Sequence, residues 1–267
     1  MHAQGPYAED LVLALHIADA VDAVTMAEFG SPSLRVETKA DETPVTEVDR
    51  AAEQAIRTLL DRHRPADAVF GEEFGSKGGG PREWVIDPVD GTKNYVRGIP
   101  VWGSLIALLD NGHPVMGVVT APALGMRWFA AKGDGAWKGA SQREARRLAV
   151  SSISRLSDAT LSYASLTGWE AKGMLEPFLD FQRGLWRTRA FGDFWSYMMV
   201  AEGVVEIACE PELQLYDMAA LVPIVEEAGG RFTNLTGEPG PFGGNALATN
   251  GLLHDEVLAA LGSRKAP

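Results

Sequence analysis

A chain of 267 residues, 46% of them hydrophobic, can bury a substantial core as one large domain or two smaller ones. A formal charge of −12 argues against nucleic acid as a partner, because holding a phosphate backbone needs a basic surface, and most of the acidic excess serves solubility. The single cysteine, Cys209, excludes an internal disulfide and fits a reducing, cytoplasmic setting, while the 5 histidines show no metal-binding spacing, which disfavours zinc and leaves oxygen ligands.

Tyr7 to Phe29 carries Leu11, Leu15, Ala18, Val21 and Val24 at helical spacing, and Gly30-Ser31-Pro32 ends the segment. A second helix is expected from Val45 to His63, opened by Thr43-Pro44. Strands are expected at Ala68–Gly71, Glu83–Asp87, Gly103–Leu109, Val115–Ala121, Arg127–Ala131 and Gly135–Trp137, with Asp110-Asn111-Gly112 as a hairpin turn. Two helices followed by such a series point to a largely antiparallel sheet covered by helices. After a polar stretch, Ser141–Arg147, the rhythm changes to strands at Ala159–Tyr163, Val205–Glu210 and Arg231–Asn234. Helices alternate with them at Met174–Leu185, Phe194–Glu202, Met218–Ala228 and Asp255–Leu261, as for a second sheet of more parallel character. A boundary near 145 therefore divides an N-terminal part (1–145) from a C-terminal part (146–267) within one compact unit. Gly78-Gly79-Gly80-Pro81 lacks the Gly-Lys-Ser/Thr ending of a phosphate-binding loop and reads as a plain loop. No apolar run is long enough to span a bilayer, and the N-terminus lacks a basic region followed by an apolar core, so no membrane partner is expected.

The segment Trp84-Val85-Ile86-Asp87-Pro88-Val89-Asp90-Gly91-Thr92-Lys93-Asn94 is the most informative. An apolar strand runs into Asp87 and Asp90, and a helix can begin at Gly91-Thr92. Carboxylates held at a stiff strand end can share hard divalent cations, and helix-start N–H groups can hold a phosphate beside them. The proline makes continuation of the strand unlikely on general grounds, and the same segment also reads as an ordinary Asp-rich turn. Gly71-Glu72-Glu73 places another carboxylate at another strand end. Leu215-Tyr216-Asp217-Met218 places Asp217 just ahead of a helical pattern, where it can also serve as a helix N-cap.

Taken together, Gly71-Glu72-Glu73, the D-P-x-D-G-T run, the late Asp217, Thr43 to Asp49 and Glu226-Glu227-Ala228-Gly229-Gly230 resemble the inositol monophosphatase family of magnesium-dependent, lithium-sensitive phosphatases. The resemblance extends from the first helix to Leu261. Within that family the chain is most similar to the actinobacterial histidinol-phosphatases. The segments that carry this are Gly71-Glu72-Glu73-Phe74-Gly75, Asn94 to Trp102, Arg189 to Phe194 and Ala248 to Val257.

That resemblance implies an α+β, α/β fold layered as an α-β-α-β-α sandwich, and a homodimer. It implies two to three Mg2+ ions, with Mn2+ as a substitute: Glu72, Asp87 and the Val89 carbonyl on one, Asp87, Asp90 and Asp217 on a second, and Glu72 on a third. Asp90, Gly91, Thr92 and Asp217 would meet the substrate. Asp49, paired with Thr92, and Glu72 would orient the attacking water, although as a helical aspartate Asp49 also reads as a solvated face residue. Lys39 matches a lysine near the metals and equally reads as a loop residue. Glu210 would contact the substrate alcohol. Asp193 stands where inositol-specific members carry a small hydroxyl residue, so it can face the ammonium of histidinol phosphate, or cap the helix that follows, or both. Arg189 can pair with Asp193 or reach the phosphate. Trp102, Trp128, Trp137, Trp169 and Trp195 can stack on an imidazole or fill the core. The expected activity is hydrolysis of histidinol phosphate in histidine biosynthesis. Alternatives are an inositol-1-monophosphatase or broad sugar-phosphate phosphatase and, more remotely, a non-catalytic metal-dependent regulatory protein.

Overall fold

In the computed structural model, which describes residues 5–38 and 44–262, two long helices lead the chain. They are α1 (Ala8–Glu28) and α2 (Glu47–His63), with a short antiparallel pair, β1 (Val36–Thr38) and β2 (Pro44–Thr46), between them. The helix expected from Val45 starts two residues later. Val45 belongs to β2, and Thr46 is the N-cap, accepting from the N–H groups of Val48 and Asp49 while its own N–H donates to Asp49. This reciprocal box satisfies donors that the first turn cannot pair internally. Thr43 and Lys39 lie outside the described residues.

The next elements are β3 (Ala68–Gly71), β4 (Gly75–Lys77), β5 (Arg82–Asp90), α3 (Thr92–Val96), β6 (Gly103–Asp110), β7 (His113–Ala121), β8 (Met126–Ala131), β9 (Gly135–Lys138) and β10 (Arg146–Arg147). They form one sheet in the order β10-β9-β8-β7-β6-β5-β3-β4, antiparallel except for β3 against β5. Asn111 and Gly112, both at positive φ, close the β6–β7 hairpin as expected. The second half contributes β11 (Thr160–Ser162), α4 (Leu166–Ala171), α5 (Leu175–Arg183), β12 (Arg187–Arg189), α6 (Asp193–Ala201), β13 (Ile207–Glu210), α7 (Leu215–Met218), α8 (Leu221–Glu227), β14 (Arg231–Thr233), β15 (Ala246–Thr249) and α9 (His254–Gly262). Its sheet runs β12-β11-β13-β15-β14, parallel through β12, β11 and β13 and antiparallel around β15.

Strand alternation sorts the side chains into layers. Trp84, Ile86, Ile106, Leu108 and Val118 pack with Leu11, Ile17, Val21, Ile56 and Leu60 of α1 and α2. Val85, Leu105, Ala107 and Val119 point the other way, into a core shared with Phe194, Tyr197, Leu221 and Ile224 of α6 and α8 and with Ala208, Phe232 and Ala248 of the second sheet. The far face of that sheet, through Leu161, Ile207, Cys209 and Leu247, meets Trp169, Phe178, Phe181, Val257 and Leu261. The result is the α-β-α-β-α sandwich, with α6 and α8 as the filling between the sheets.

Two readings of the sequence need correction. The strand does not stop at Asp87 but continues through Pro88 to Asp90. Asp87 pairs with Leu105 and Asp90 with Gly103, so three steps on β5 face two on β6. This bulge leaves Pro88, which has no N–H to give, out of the ladder. The helix expected at Met218–Ala228 is two pieces, α7 and α8. Pro223 lacks the N–H that would bond the Ala219 carbonyl, and its ring crowds that carbonyl.

Candidate active site

The bulge in β5 builds the centre of the site. Residues three apart on a regular strand face opposite sides. One extra residue in β5 brings the two aspartates to the same side, and Asp217, arriving on α7, completes a group whose carboxylate oxygens lie within 4.8 Å of one another. Asp87 is fully buried and its Oδ1 accepts the Val89 N–H at 3.0 Å. Ser104 ties the bulge down by donating to the Pro88 carbonyl at 2.6 Å. Asp217 is the third residue of α7, not its N-cap. Gln214 is the cap, and its N–H donates to Asp217 Oδ2 at 2.7 Å. Glu72, at the end of β3, has its carboxyl beside Asp87.

Burial raises the pKa of the three aspartates, Asp87, Asp90 and Asp217. For Asp87 the loss of hydration leads, followed by the charges of Glu72, Asp90 and Asp217. For Asp90 burial is followed by Asp193 and Asp217, against which a hydrogen bond from the Phe194 N–H works. Burial drives Asp217 up to about 7 in spite of the Gln214 N–H. Hard oxygen donors that crowd together out of water call for a cation, and the donor set suits a divalent ion with oxygen preference.

Around the cluster stand the parts suited to a phosphate. Gly91 adopts φ 83°, which lets β5 turn directly into α3, and a Cβ there would meet the Val101 carbonyl at 3.0 Å and Asp193 Oδ2 at 3.3 Å. The first N–H groups of α3 have no partner within the helix. Thr92 Oγ1 lies 2.9 Å from the Val89 carbonyl and 3.2 Å from Asp49 Oδ1. Asp49 is buried at the start of α2, so it is not a solvated face residue. Its pKa is raised by burial, against hydrogen bonds from Thr46 and Thr92.

The second half supplies two more carboxylates. Asp193 opens α6 at φ 48° and is held by Asn94 Nδ2 at 2.9 Å, while burial lifts it to about 6 against the Lys93 charge. It does not cap α6: Asp90, from the opposite sheet, accepts the Phe194 N–H at 2.8 Å. Glu210, at the end of β13, accepts the Ala164 N–H and is pushed by burial to about 8. Arg189 is exposed at the end of β12, donates to the Thr188 carbonyl, and forms no ion pair with Asp193 among the described residues. Trp102, Trp128 and Trp169 are core, Trp169 stacked on Phe178 at 3.9 Å, whereas Trp137 is half-buried and Trp195 lies beside Phe191 at the edge of the core. Sequence reading passed over Asn94 as a side chain, the Ala164 N–H and Thr46. Only Thr46 had a local signal, the Thr-x-x-Asp capping pattern.

The inositol monophosphatase family model matches residues 7–265. The chain is 60% identical to a histidinol-phosphatase of Streptomyces coelicolor, over 97% of this chain and 98% of that protein. It is 54% identical to a histidinol-phosphatase of Mycobacterium tuberculosis, over 95% and 98%. A solved inositol monophosphatase of Zymomonas mobilis superposes with a TM-score of 0.86 at 32% identity, covering 97% of this chain and 100% of that one. Local motifs, layer order and overall likeness agree, and the chain belongs to the inositol monophosphatase family.

Proposed function

We propose that this phosphoric monoester hydrolase acts on histidinol phosphate, releasing histidinol and inorganic phosphate in histidine biosynthesis. The observation that carries the reading is the Asp87–Asp90–Asp217 cluster, with Asp87 buried and the other two half-buried, beside the Gly91–Thr92 turn, with Asp193 and Glu210 arriving from the other half. The two histidinol-phosphatases more than half identical over nearly the whole chain support the choice of substrate.

In this reading Glu72, Asp87, Asp90, Asp217 and the Val89 carbonyl hold two to three Mg2+ ions, which Mn2+ can replace. Bound metal would neutralise the carboxylates, draw on phosphate oxygens and acidify water. The chain's own groups do the rest. Gly91 and Thr92 N–H groups hold phosphate oxygens. Thr92 Oγ1 directs its proton to Asp49 or to the Val89 carbonyl and offers a lone pair to the attacking water, with Glu72 orienting that water from the other side. The water gives up a proton through Thr92 Oγ1 toward Asp49 as its oxygen bonds to phosphorus, and the ester oxygen leaves with the bonding pair and takes up one proton, so that none is gained or lost overall. Asp193 faces the substrate ammonium and Glu210 the alcohol end. Arg189, not tied to Asp193, is available to the phosphate. Residues 1–145 thus supply most metal ligands and 146–267 the leaving-group contacts, with Asp217 crossing between them.

The test is phosphate release from histidinol phosphate, inositol monophosphate and fructose bisphosphate, with and without Mg2+. Preference for histidinol phosphate supports the reading. Preference for inositol phosphate leaves the phosphatase chemistry and removes the substrate assignment. A homodimer, a cytoplasmic location and inhibition by lithium complete the proposal, and sizing in solution, cell fractionation and inhibition assays check them. No helix among the described residues is long and apolar enough to cross a membrane.

A further inference from the structure

We propose that Glu53 is a positioning residue: with Arg57 it straps the Gly71–Gly75 turn onto α2 and so aims Glu72 at the carboxylate cluster. The inference rests on the reading of Glu72 as a metal ligand.

Asp49, Glu53 and Arg57 follow one another at four-residue spacing, which puts them on one stripe of α2. A charged stripe on an outer helix normally faces water, yet all three are buried, Glu53 at 0% exposure and Arg57 at 7%. An ion pair out of water is weak support for stability by itself, since apolar residues of similar volume often serve as well. Here the pair is committed to one short piece of backbone. Glu53 Oε2 accepts the Glu73 N–H at 2.7 Å, and Oε1 accepts the Phe74 N–H at 3.2 Å and Arg57 Nε at 2.8 Å. Arg57 Nη2 donates onward to the Gly75 carbonyl, and its guanidinium lies 5.9 Å from the centre of the Phe74 ring. On the other side, the Glu72 N–H donates to the Ile86 carbonyl at 3.2 Å. Glu72 is therefore pinned before and after its own Cα, to β5 and to α2. Gly71 completes the fit, because a Cβ there would stand 2.1 Å from Glu53 Oε1. The helix that carries Asp49 to Thr92 thus also sets the direction of Glu72, one turn further along.

The experiment measures Mn2+ binding to the full-length protein by electron paramagnetic resonance, alongside kinetics at saturating Mg2+. Glu53→Gln keeps the shape but turns an amide donor toward donors. Its Mn2+ dissociation constant should rise about 10- to 100-fold, the range for outer partners of metal ligands, with KM for histidinol phosphate within about 3-fold of wild type. Gly71→Ala, which displaces Glu53 from the opposite side, should reproduce the loss of metal affinity, and it decides the matter if Glu53→Gln does not fold. In a Glu72→Gln background, adding Glu53→Gln should cost no further affinity. Wild-type Mn2+ affinity in a folded Glu53→Gln or Gly71→Ala protein overturns the proposal, as does a full additional loss in the Glu72→Gln background. If the wild-type protein itself binds no Mn2+, it is the metal reading of the site that fails.

Discussion

Replacing Asp193 by Asn tests substrate selection with little change of shape. Asn tolerates the left-handed backbone of this position, φ 48°, about as well as Asp does. Its amide oxygen can stay on Asn94 Nδ2, now 2.9 Å from Oδ2, which leaves an NH2 where Oδ1 stood. Among the described residues Oδ1 accepts no hydrogen bond, so it is the oxygen open to a ligand. A charge-assisted contact shielded from water contributes about 1.5–3 kcal/mol, and a donor facing an ammonium loses all of it. By the relation of about 1.4 kcal/mol per decade, kcat/KM for histidinol phosphate should fall at least about 10-fold and up to about 100-fold. Efficiency on a neutral sugar phosphate should stay within about 3-fold or rise. Raising the salt concentration should blunt the wild-type preference only in part, because a shielded contact is poorly screened. Phosphate release from both substrates at saturating Mg2+ is the assay. Equal losses on both would refute the reasoning and make Asp193 a structural residue of the α6 turn.

Other expectations concern the metals, the water and the second sheet. Asp87→Asn should abolish Mg2+-dependent turnover while circular dichroism stays native. Because it removes a buried charge repelled by Glu72, Asp90 and Asp217, the metal-free variant should melt no lower than metal-free wild type. Near-normal turnover by this variant or by chelator-treated enzyme would sink the metal assignment. Thr92→Val should lower kcat by about 100-fold or more while Mn2+ affinity is largely kept; unchanged kcat would leave Glu72 as the candidate base. His254 bridges Thr233 of β14 and Thr249 of β15, and burial, the largest cause, lowers its pKa to about 4. A depressed histidine stabilises the fold fully above its unfolded value, and that stability is lost as pH falls. Wild type should therefore lose about 3 kcal/mol relative to His254→Gln between about pH 7 and 4, read from urea melts at each pH. Parallel pH profiles would remove His254 from that account.

How much of this was legible is clearest at particular residues. The helices α1 and α9, the β6–β7 hairpin and the strands β3 and β5 to β9 of the first sheet were readable from periodicity and an Asn-Gly turn, whereas its short edge strands β4 and β10 carried no such pattern. The second sheet was harder. β15, which joins its two halves, is only Ala246 to Thr249, buried on both faces and without alternation, and β12 and α4 are three and six residues long. Such pieces owe their conformation to neighbours, which a local pattern does not record. Lys39 falls outside the described residues, so its two readings stand as they were.

The sequence by itself determined the chemistry available: carboxylates at strand and helix ends, a glycine where the backbone turns to positive φ, and a threonine beside it. Those choices are local, because turn geometry, capping and side-chain type act within a few residues. Only the tertiary structure decided which carboxylates meet. The Pro88 bulge turns Asp87 and Asp90 to one side, α7 brings Asp217 to them, and Asp90 caps α6 across 104 residues of chain. It also decided that Asp49 and Glu53 lie indoors. Burial and mutual repulsion raise the cluster's pKa values, and these depend on distances between segments far apart in sequence, set by packing two sheets around a shared layer of helices.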